Sequence, residues 1–411
     1  MSSWRTDRRL RARALALLIG VGLGLIPLFY FAPWNRSHSP VAFKRTTADA
    51  TKLMNDRAKA LAESKTGAQE LHLGHLPRFP INSEIAHKIF PIDGEVQEYD
   101  PQVYFRHLPN TDFRESWWEH PHKGWTMKTN SLGLREDGEI PLEKPDLRIL
   151  VAGDSHTEGV CENSESLAHV LGRTLQALHK DKRIDSINAA KGGYTFYNYL
   201  GTLEKFLYLK PDVFVVVVYG GNDFEEVLTP YHFFAGTTRA PGSSLYWEQV
   251  QNALKVRPVW LAQDGNSLKY FQEQPSEIKV ALQAAEESTL DIQELCEKHG
   301  IRLYYAYIPA LFDGEDPEFV EDPARPNLRQ KLYEALEVRP KSGNLHDHMA
   351  NVLIAFLNEH KIPVLDMRKV FKENKGPFYW REDFHINVNA HRLIGRKLAL
   401  MIHDAWQEFV R

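Results

Sequence analysis

Cysteine is scarce in this chain, which has only two among its 411 residues, Cys161 and Cys296. Two cysteines allow one intramolecular disulfide at most, and the sequence does not give the distance between them. Pairing in an oxidising compartment and two free, buried thiols therefore both stay open.

A strong excess of charge of one sign is also lacking. The formal net charge is −4, and neither lysine nor arginine forms a long run in the body of the chain. Because nucleic-acid-binding surfaces need clustered positive charge, we expect no nucleic-acid partner. Hydrophobic residues make up 43% of the chain, enough for the core of a large domain.

The N-terminus departs from this even distribution of charge. An uncharged apolar run of 20 residues, 14–33, follows a group of arginines: Arg5, Arg8, Arg9, Arg11 and Arg13. A helix rising about 1.5 Å per residue covers about 30 Å over such a run, which is enough to cross a bilayer core. We therefore expect a single-pass membrane anchor with a cytoplasmic N-terminus, and the rest of the chain periplasmic or extracellular. The alternatives are a cleaved signal peptide and a twin-arginine export signal. The length of the run and the lack of a small-x-small cleavage site favour the anchor.

Composition divides the remaining chain into three parts. Residues 35–90 predict a stalk or linker, and residues 91–146 predict an accessory segment of short strands. From 147 to 411, strand and helix patterns alternate, which predicts a flavodoxin-like, doubly wound α/β domain with five parallel strands between helical layers. The strands are expected near 148–153, 184–188, 212–219, 301–308 and 362–366. The helices are expected near 164–180, 195–208, 278–299, 344–360 and 388–408.

Aromatic residues concentrate in two places. One is the accessory segment, with Tyr104, Phe105, Trp117, Trp118 and Trp125. The other is an insertion at 224–275, between the third and fourth strands of the sheet. The accessory aromatics could stack on sugar rings, although core packing is the commoner use of such residues. The insertion could form a lid, a substrate wall or a self-packed subdomain.

Four segments with polar or glycine-rich turns fall where strands should end. The first is Gly153-Asp154-Ser155 after the apolar run 149–152, which suits an exposed serine nucleophile. The same three residue types also occur in turns that have no catalytic role. The second contains Gly193, the third places Asn222 after the run 213–219, and the fourth carries His385. Since ligands bind outside the carboxyl ends of parallel strands, these segments can converge on one site.

Together these residues resemble the SGNH, or GDSL-type, hydrolase superfamily, from about Asn130 to the C-terminus. The segment Thr129-Asn130-Ser131-Leu132-Gly133-Leu134-Arg135 is similar to one found before the nucleophile in many bacterial members. The resemblance implies a Ser155 nucleophile, a His385 base, and an oxyanion hole from Ser155, Gly193 and Asn222.

The acid that orients His385 departs from the usual family pattern. The family places aspartate three residues before the histidine, where this chain has Glu382. Asp383 lies two residues before, a spacing that resembles alginate O-acetyltransferase-like members. We therefore expect Asp383 to orient His385, with Glu382 as the alternative. A second departure, His156 in place of leucine, falls at a variable position.

These residues predict acyl transfer through an acyl-enzyme, with hydrolysis of an acyl ester as the first hypothesis. Both an acetylated glycan and a lipid stay open as the substrate. The alternatives are an O-acyltransferase that modifies an exopolysaccharide or cell-envelope glycan, and a non-catalytic carbohydrate-binding or assembly protein on the same fold. We expect no cofactor and no metal. The pairs His120 and His122, and His346 and His348, lack a zinc-protease pattern, and His391 suits packing or capping.

Overall fold

The computed structural model describes residues 55–59, 74–242, 263–311, 327–339, 344–381 and 384–405. The predicted anchor over 14–33 lies outside these ranges. Within them, no helix combines the length and apolar character that a membrane crossing requires.

Short elements occupy the chain before residue 147. Helix α1 (Ser83–Ile89) begins after Asn82, whose side chain accepts a hydrogen bond from Ile85 N. Strands β1 (Gln97–Asp100) and β2 (Tyr104–His107) pair antiparallel, as do β3 (Asp112–Glu115) and β4 (Trp125–Lys128). Short strands thus occur in the segment for which the sequence predicts them.

A parallel sheet of five strands forms the centre of the molecule. Its strands are β5 (Leu147–Gly153), β6 (Ile184–Asn188), β7 (Val213–Tyr219), β8 (Arg302–Ile308) and β9 (Val364–Asp366). Their order is β6-β5-β7-β8-β9, and every neighbouring pair is parallel. This is the flavodoxin-like order 2-1-3-4-5. The predicted sheet is therefore confirmed, with strand bounds within two residues of those expected.

Helices cover both faces of the sheet. They are α2 (Ser155–Glu158), α3 (Leu167–Leu178), α4 (Phe196–Phe206), α5 (Asp223–Glu226), α6 (Leu228–Ala235), α7 (Gln263–Glu273), α8 (Ser276–His299), α9 (Leu328–Ala335), α10 (Leu345–Glu359), α11 (Met367–Glu373) and α12 (Val388–Asp404). Side chains alternate across a strand, so β7 sends Val213, Val215 and Val217 to the core beneath α3 and α12. Phe214, Val216 and Val218 enter the opposite core with α4, α8 and α10.

The segment before β5 packs into this second core. Leu76, Phe79 and Ile85 belong to it, although they fall in the range predicted as a stalk. The predicted domain boundaries stay predictions.

Among the accessory aromatics, Tyr104, Phe105 and Trp125 are buried, as core packing requires, whereas 59% of Trp118 is exposed.

The described part of the insertion is also packed. Its aromatic residues in this part are buried: Tyr231, Phe233, Phe234, Tyr270 and Phe271. Residues 243–262 lie outside the described ranges, and with them the rest of the predicted lid or wall.

Both cysteines are buried and free. The alternative of two free, buried thiols is therefore the correct one.

Candidate active site

Ser155 stands at a strand-to-helix turn whose sequence dictates its shape. Strand β5 ends at Gly153, where an added Cβ would lie 2.2 Å from Thr157 Oγ1, so the close approach of the turn requires glycine. Asp154 then caps α2, because its Oδ1 accepts a hydrogen bond of 2.9 Å from His156 N. Ser155 is the first residue of that helix and is partly exposed.

His385 contacts Ser155 from a distant part of the chain. Its Nε2 lies 2.8 Å from Ser155 Oγ, across 230 residues of sequence. The loop that carries His385 is held by a hydrogen bond from Trp380 N to the His385 carbonyl and by another from Trp380 Nε1 to Val160 O. Asn387 then caps α12 through its side chain. The structure thus brings together the serine and histidine that the sequence singles out.

The predicted orienting acids, Asp383 and Glu382, lie outside the described residues, so the choice between them stays a prediction. Among the described residues, His156 lies beside the His385 ring, with 4.6 Å between the two ring centroids. His156 stacks on Tyr219 at 3.4 Å. Burial, followed by the charges of His385 and His391, holds the pKa of His156 well below its ordinary value. His156 is therefore an uncharged side chain that packs beside His385. Its position in the sequence motif did not predict this contact.

The Gly193 turn, residues 191–193, contacts the segment 153–158 around Ser155 through backbone and side-chain hydrogen bonds. Lys191 N donates to Gly153 O at 3.1 Å, and Gly192 N donates to Glu158 Oε2 at 2.5 Å. Gly193 has φ +80°, and a Cβ there would lie 2.8 Å from Pro91 Cγ. Both the backbone conformation and the space therefore favour glycine at this position.

Glu158 is the centre of a buried charge cluster beneath the Gly193 turn. Its carboxylate lies 3.0 Å from His107 Nε2 and 3.9 Å from Lys191 Nζ. Burial would raise the pKa of Glu158, but Lys191 and His107 outweigh burial and hold that pKa well below its ordinary value. Glu158 is thus a permanent carboxylate that fixes the Gly192 peptide.

Arg135 explains the segment 129–135 that resembles a stretch in bacterial family members. The fully buried guanidinium donates to the carbonyls of Glu158, Gly159 and Cys161, and Nε donates to Asn163 Oδ1 at 2.9 Å. These bonds hold the chain at the end of α2 and just after it. The sequence pointed to the segment without assigning this role.

The Asn222 turn, residues 220–223, follows β7 at the same edge of the sheet. Asn222 is 4% exposed, and its Nδ2 donates to Glu226 Oε1 at 2.9 Å. Strand β5 pairs with both β6 and β7, so the turns after these three strands lie side by side. Ser155, Gly193 and Asn222 are each placed at one of these neighbouring turns.

Three carboxyl groups accompany the Asn222 turn. Burial raises the pKa of Asp154 to about 7 and that of Glu226 to about 7, and it raises the pKa of Asp223 well above its ordinary value. Asp223 Oδ2 accepts hydrogen bonds from Tyr199 Oη and Tyr219 N. Within the described ranges, none of the three forms an ion pair with lysine or arginine. Uncompensated burial therefore decides their protonation.

The remaining histidines have structural contacts. Leu167 N donates to His391 Nδ1 at 3.1 Å, so His391 caps α3, and burial lowers its pKa to about 3. His120 Nε2 lies 2.8 Å from Glu165 Oε2, and its Nδ1 accepts from His122 N. In the described part of the chain, the group of three potential metal ligands whose ligand atoms all lie within 4.8 Å of one another is His75, Asp291 and Glu294, none of them a predicted candidate.

The chain is similar to several known proteins and to one protein family. The chain resembles the solved structures of an acetyl xylan esterase (16% identity, 62% of this chain and 100% of that chain, TM-score 0.35) and of a lipase/acylhydrolase from Enterococcus faecalis (18%, 62% and 95%, TM-score 0.31). It also resembles a two-domain esterase active on acetylated mannans (13%, 63% and 49%, TM-score 0.33). No curated protein matches the chain. The family model of the GDSL-like lipase/acylhydrolases matches residues 151–393, more than half of the sequence. The chain therefore belongs to the GDSL-like lipase/acylhydrolase family.

Proposed function

We propose that the protein is a serine esterase that cleaves an acyl ester through an acyl-enzyme on Ser155. The observation that carries this proposal is the 2.8 Å contact between Ser155 Oγ and His385 Nε2. A hydroxyl within hydrogen-bond distance of an imidazole is the arrangement that activates a serine nucleophile.

In the first step, Ser155 Oγ forms a bond to the acyl carbon while His385 Nε2 takes its proton. The tetrahedral intermediate then collapses, the bond to the alcohol oxygen breaks, and His385 returns the proton to the departing alcohol. Water, activated by the same imidazole, attacks the acyl-enzyme, and the acid leaves as Ser155 regains its proton. Asp383, or alternatively Glu382, would hold the His385 ring and stabilise its charged form.

The developing oxyanion needs donors close to Ser155. The backbone N–H groups of Ser155 and Gly193 and the side-chain amide of Asn222 would supply them. The turn geometry supports this role, because these residues follow three neighbouring parallel strands. Loss of one such donor typically lowers kcat by about 10² to 10³.

The spacing Asp383-Phe384-His385 favours a second candidate, an O-acyltransferase. In that case a sugar hydroxyl of an exopolysaccharide or cell-envelope glycan replaces water in the second step. The apolar run 14–33 supports a membrane tether that holds the site outside the cytoplasm, where such polymers emerge.

The two candidates are separated by following products rather than substrate loss. Full-length protein is given an aryl acetate with and without oligosaccharide acceptors, and the products are identified by mass. Free acetate alone indicates an esterase, whereas acetylated oligosaccharide indicates a transferase.

Two serine variants test the chemistry itself. Ser155→Ala should abolish either product, whereas Ser164→Ala, a change at an exposed serine nearby, should keep full activity. A folded wild-type protein that forms neither product would favour the non-catalytic alternative.

A further inference from the structure

We infer that Glu226 is a positioning residue that orients the Asn222 amide for oxyanion binding, an inference that rests on the proposed esterase function. Asn222 Nδ2 donates to Glu226 Oε1 at 2.9 Å. Asn222 precedes α5 and Glu226 is its last residue, so the two side chains are one helical turn apart and face each other.

The chemistry of the two groups explains why the contact selects one orientation. A side-chain amide has a donor end and an acceptor end, whereas the carbonyl oxygen of a carboxyl group only accepts, whether the group is ionised or protonated. The contact between Asn222 Nδ2 and Glu226 Oε1 therefore holds Asn222 by its NH₂ end. One amide hydrogen is engaged by Glu226, and the second stays available for a substrate oxyanion.

The cost of Glu226 to the fold argues against a purely structural role. Its Oε2 and Asn222 Oδ1 are both buried, and neither atom has a hydrogen-bond partner in the described part of the chain. A buried polar atom without a partner destabilises a protein, and an apolar side chain of similar size would avoid that penalty. A residue that costs stability beside the active site is better explained by what it does for Asn222.

The neighbouring Glu225 offers a matched control on the same short helix. Its Oε1 accepts from Arg239 Nη2, and Arg239 also donates to Thr229 Oγ1. Glu225 has the same charge and side-chain length as Glu226 but pairs with a cation. Its replacement should therefore leave the orientation of Asn222 unchanged.

The experiment measures kcat and KM of the full-length protein on an aryl acetate for Asn222→Ala, Glu226→Met, Glu226→Gln, Glu225→Gln and the double variant Asn222→Ala with Glu226→Met. Glu226→Met should lower kcat by about 10- to 100-fold with KM within about twofold, less than the loss of Asn222 itself. Glu226→Gln keeps an acceptor oxygen and should recover most of that loss. Glu225→Gln should match wild type.

Two further results separate positioning from folding. In the Asn222→Ala background, Glu226→Met should cause no further loss, because the two residues act as one unit. The melting temperature of Glu226→Met should equal or exceed that of wild type. Wild-type kcat in Glu226→Met, an equal loss in the Asn222→Ala background, or a kcat loss that follows a lowered melting temperature would overturn the inference. Activity that survives Ser155→Ala would instead overturn the proposed function.

Discussion

At the two turns that flank Ser155, the surroundings shift the pKa values of two buried carboxyl groups in opposite directions. At the Gly193 turn, Glu158 lies beside Lys191 and His107, which hold its pKa well below the ordinary value. At the Asn222 turn, Glu226 donates nothing and accepts only from an amide, and burial raises its pKa to about 7.

This difference teaches that burial alone does not decide the charge of a carboxyl group near an active site. Where a cation lies beside the carboxylate and a backbone N–H donates to it, the group stays ionised and holds the adjacent turn in place. Where only neutral donors meet it, the group titrates near neutral pH. One side of the proposed oxyanion hole is thus built on constant charge, and the other on charge that changes with pH.

Glu158→Ala should destabilise the Gly193 turn and give the largest loss in the free energy of unfolding. It leaves the Lys191 ammonium buried without its carboxylate and frees the Gly192 N–H, so we expect about 3 to 5 kcal/mol less free energy of unfolding. Urea unfolding of the full-length protein measures this. Glu143→Ala, which removes an exposed ion pair with Arg183, should leave the value nearly unchanged, because solvent screens that pair. A similar small change in Glu158→Ala would show that the charge cluster does not brace the turn.

Removing both charges should repair part of that damage. In Glu158→Leu with Lys191→Met neither member of this ion pair is left buried alone, and we expect the double variant to be about 2 kcal/mol more stable than Glu158→Ala. The same unfolding measurement compares them. A double variant as unstable as the single one would mean that lost packing, rather than the unpaired ammonium, destabilises Glu158→Ala.

Gly193→Ala tests the backbone of the braced turn. The residue has φ +80° and an added Cβ would meet Pro91, so we expect a loss of about 1 to 3 kcal/mol together with a lower kcat. Gly138→Ala is the control, because nothing lies within 4 Å of a Cβ built there. Equal stability of the two variants would show that the turn tolerates a side chain.

Glu226→Gln should change the pH dependence of stability and thereby sharpen the contrast in charge. The folded pKa of Glu226, about 7, is above its ordinary value of 4.5, so the fold tolerates the protonated form better than the ionised one, and the contribution of Glu226 to the free energy of unfolding falls as pH rises through about 7. The free energy of unfolding of wild type should therefore fall between about pH 5 and 7, and Glu226→Gln should reduce that slope by about 1 kcal/mol per pH unit. Unfolding curves at several pH values measure it, and an unchanged slope would mean that Glu226 is ionised throughout.

Much of the fold could be predicted because the sheet has a simple sequence signature. The run 213–219 is continuous and β-branched, and such runs form strands buried on both faces. The rule that parallel strands end at one edge then placed Ser155 and His385 together, and the structure gives that contact. The roles of these residues, like the choice of Asp383, stay predictions.

The supporting charges could not be predicted for a physical reason. Arg135, Glu158 and His107 meet only after the chain has folded, and in one sequence a buried charge is indistinguishable from a surface charge. The same limit applies to Leu76 and Phe79, which belong to the range 35–90 predicted as a stalk or linker and lie in the core. Local patterns give strands and turns, whereas long-range pairing decides which polar residues are buried.

Covalent labelling of the full-length protein with a fluorophosphonate, followed by intact mass and peptide mapping, tests the central claim most directly. The account predicts one adduct, on Ser155, that is absent in Ser155→Ala, retained in Ser164→Ala and formed far more slowly in His385→Ala. An unlabelled folded wild-type protein, or a label that persists in Ser155→Ala, would contradict it.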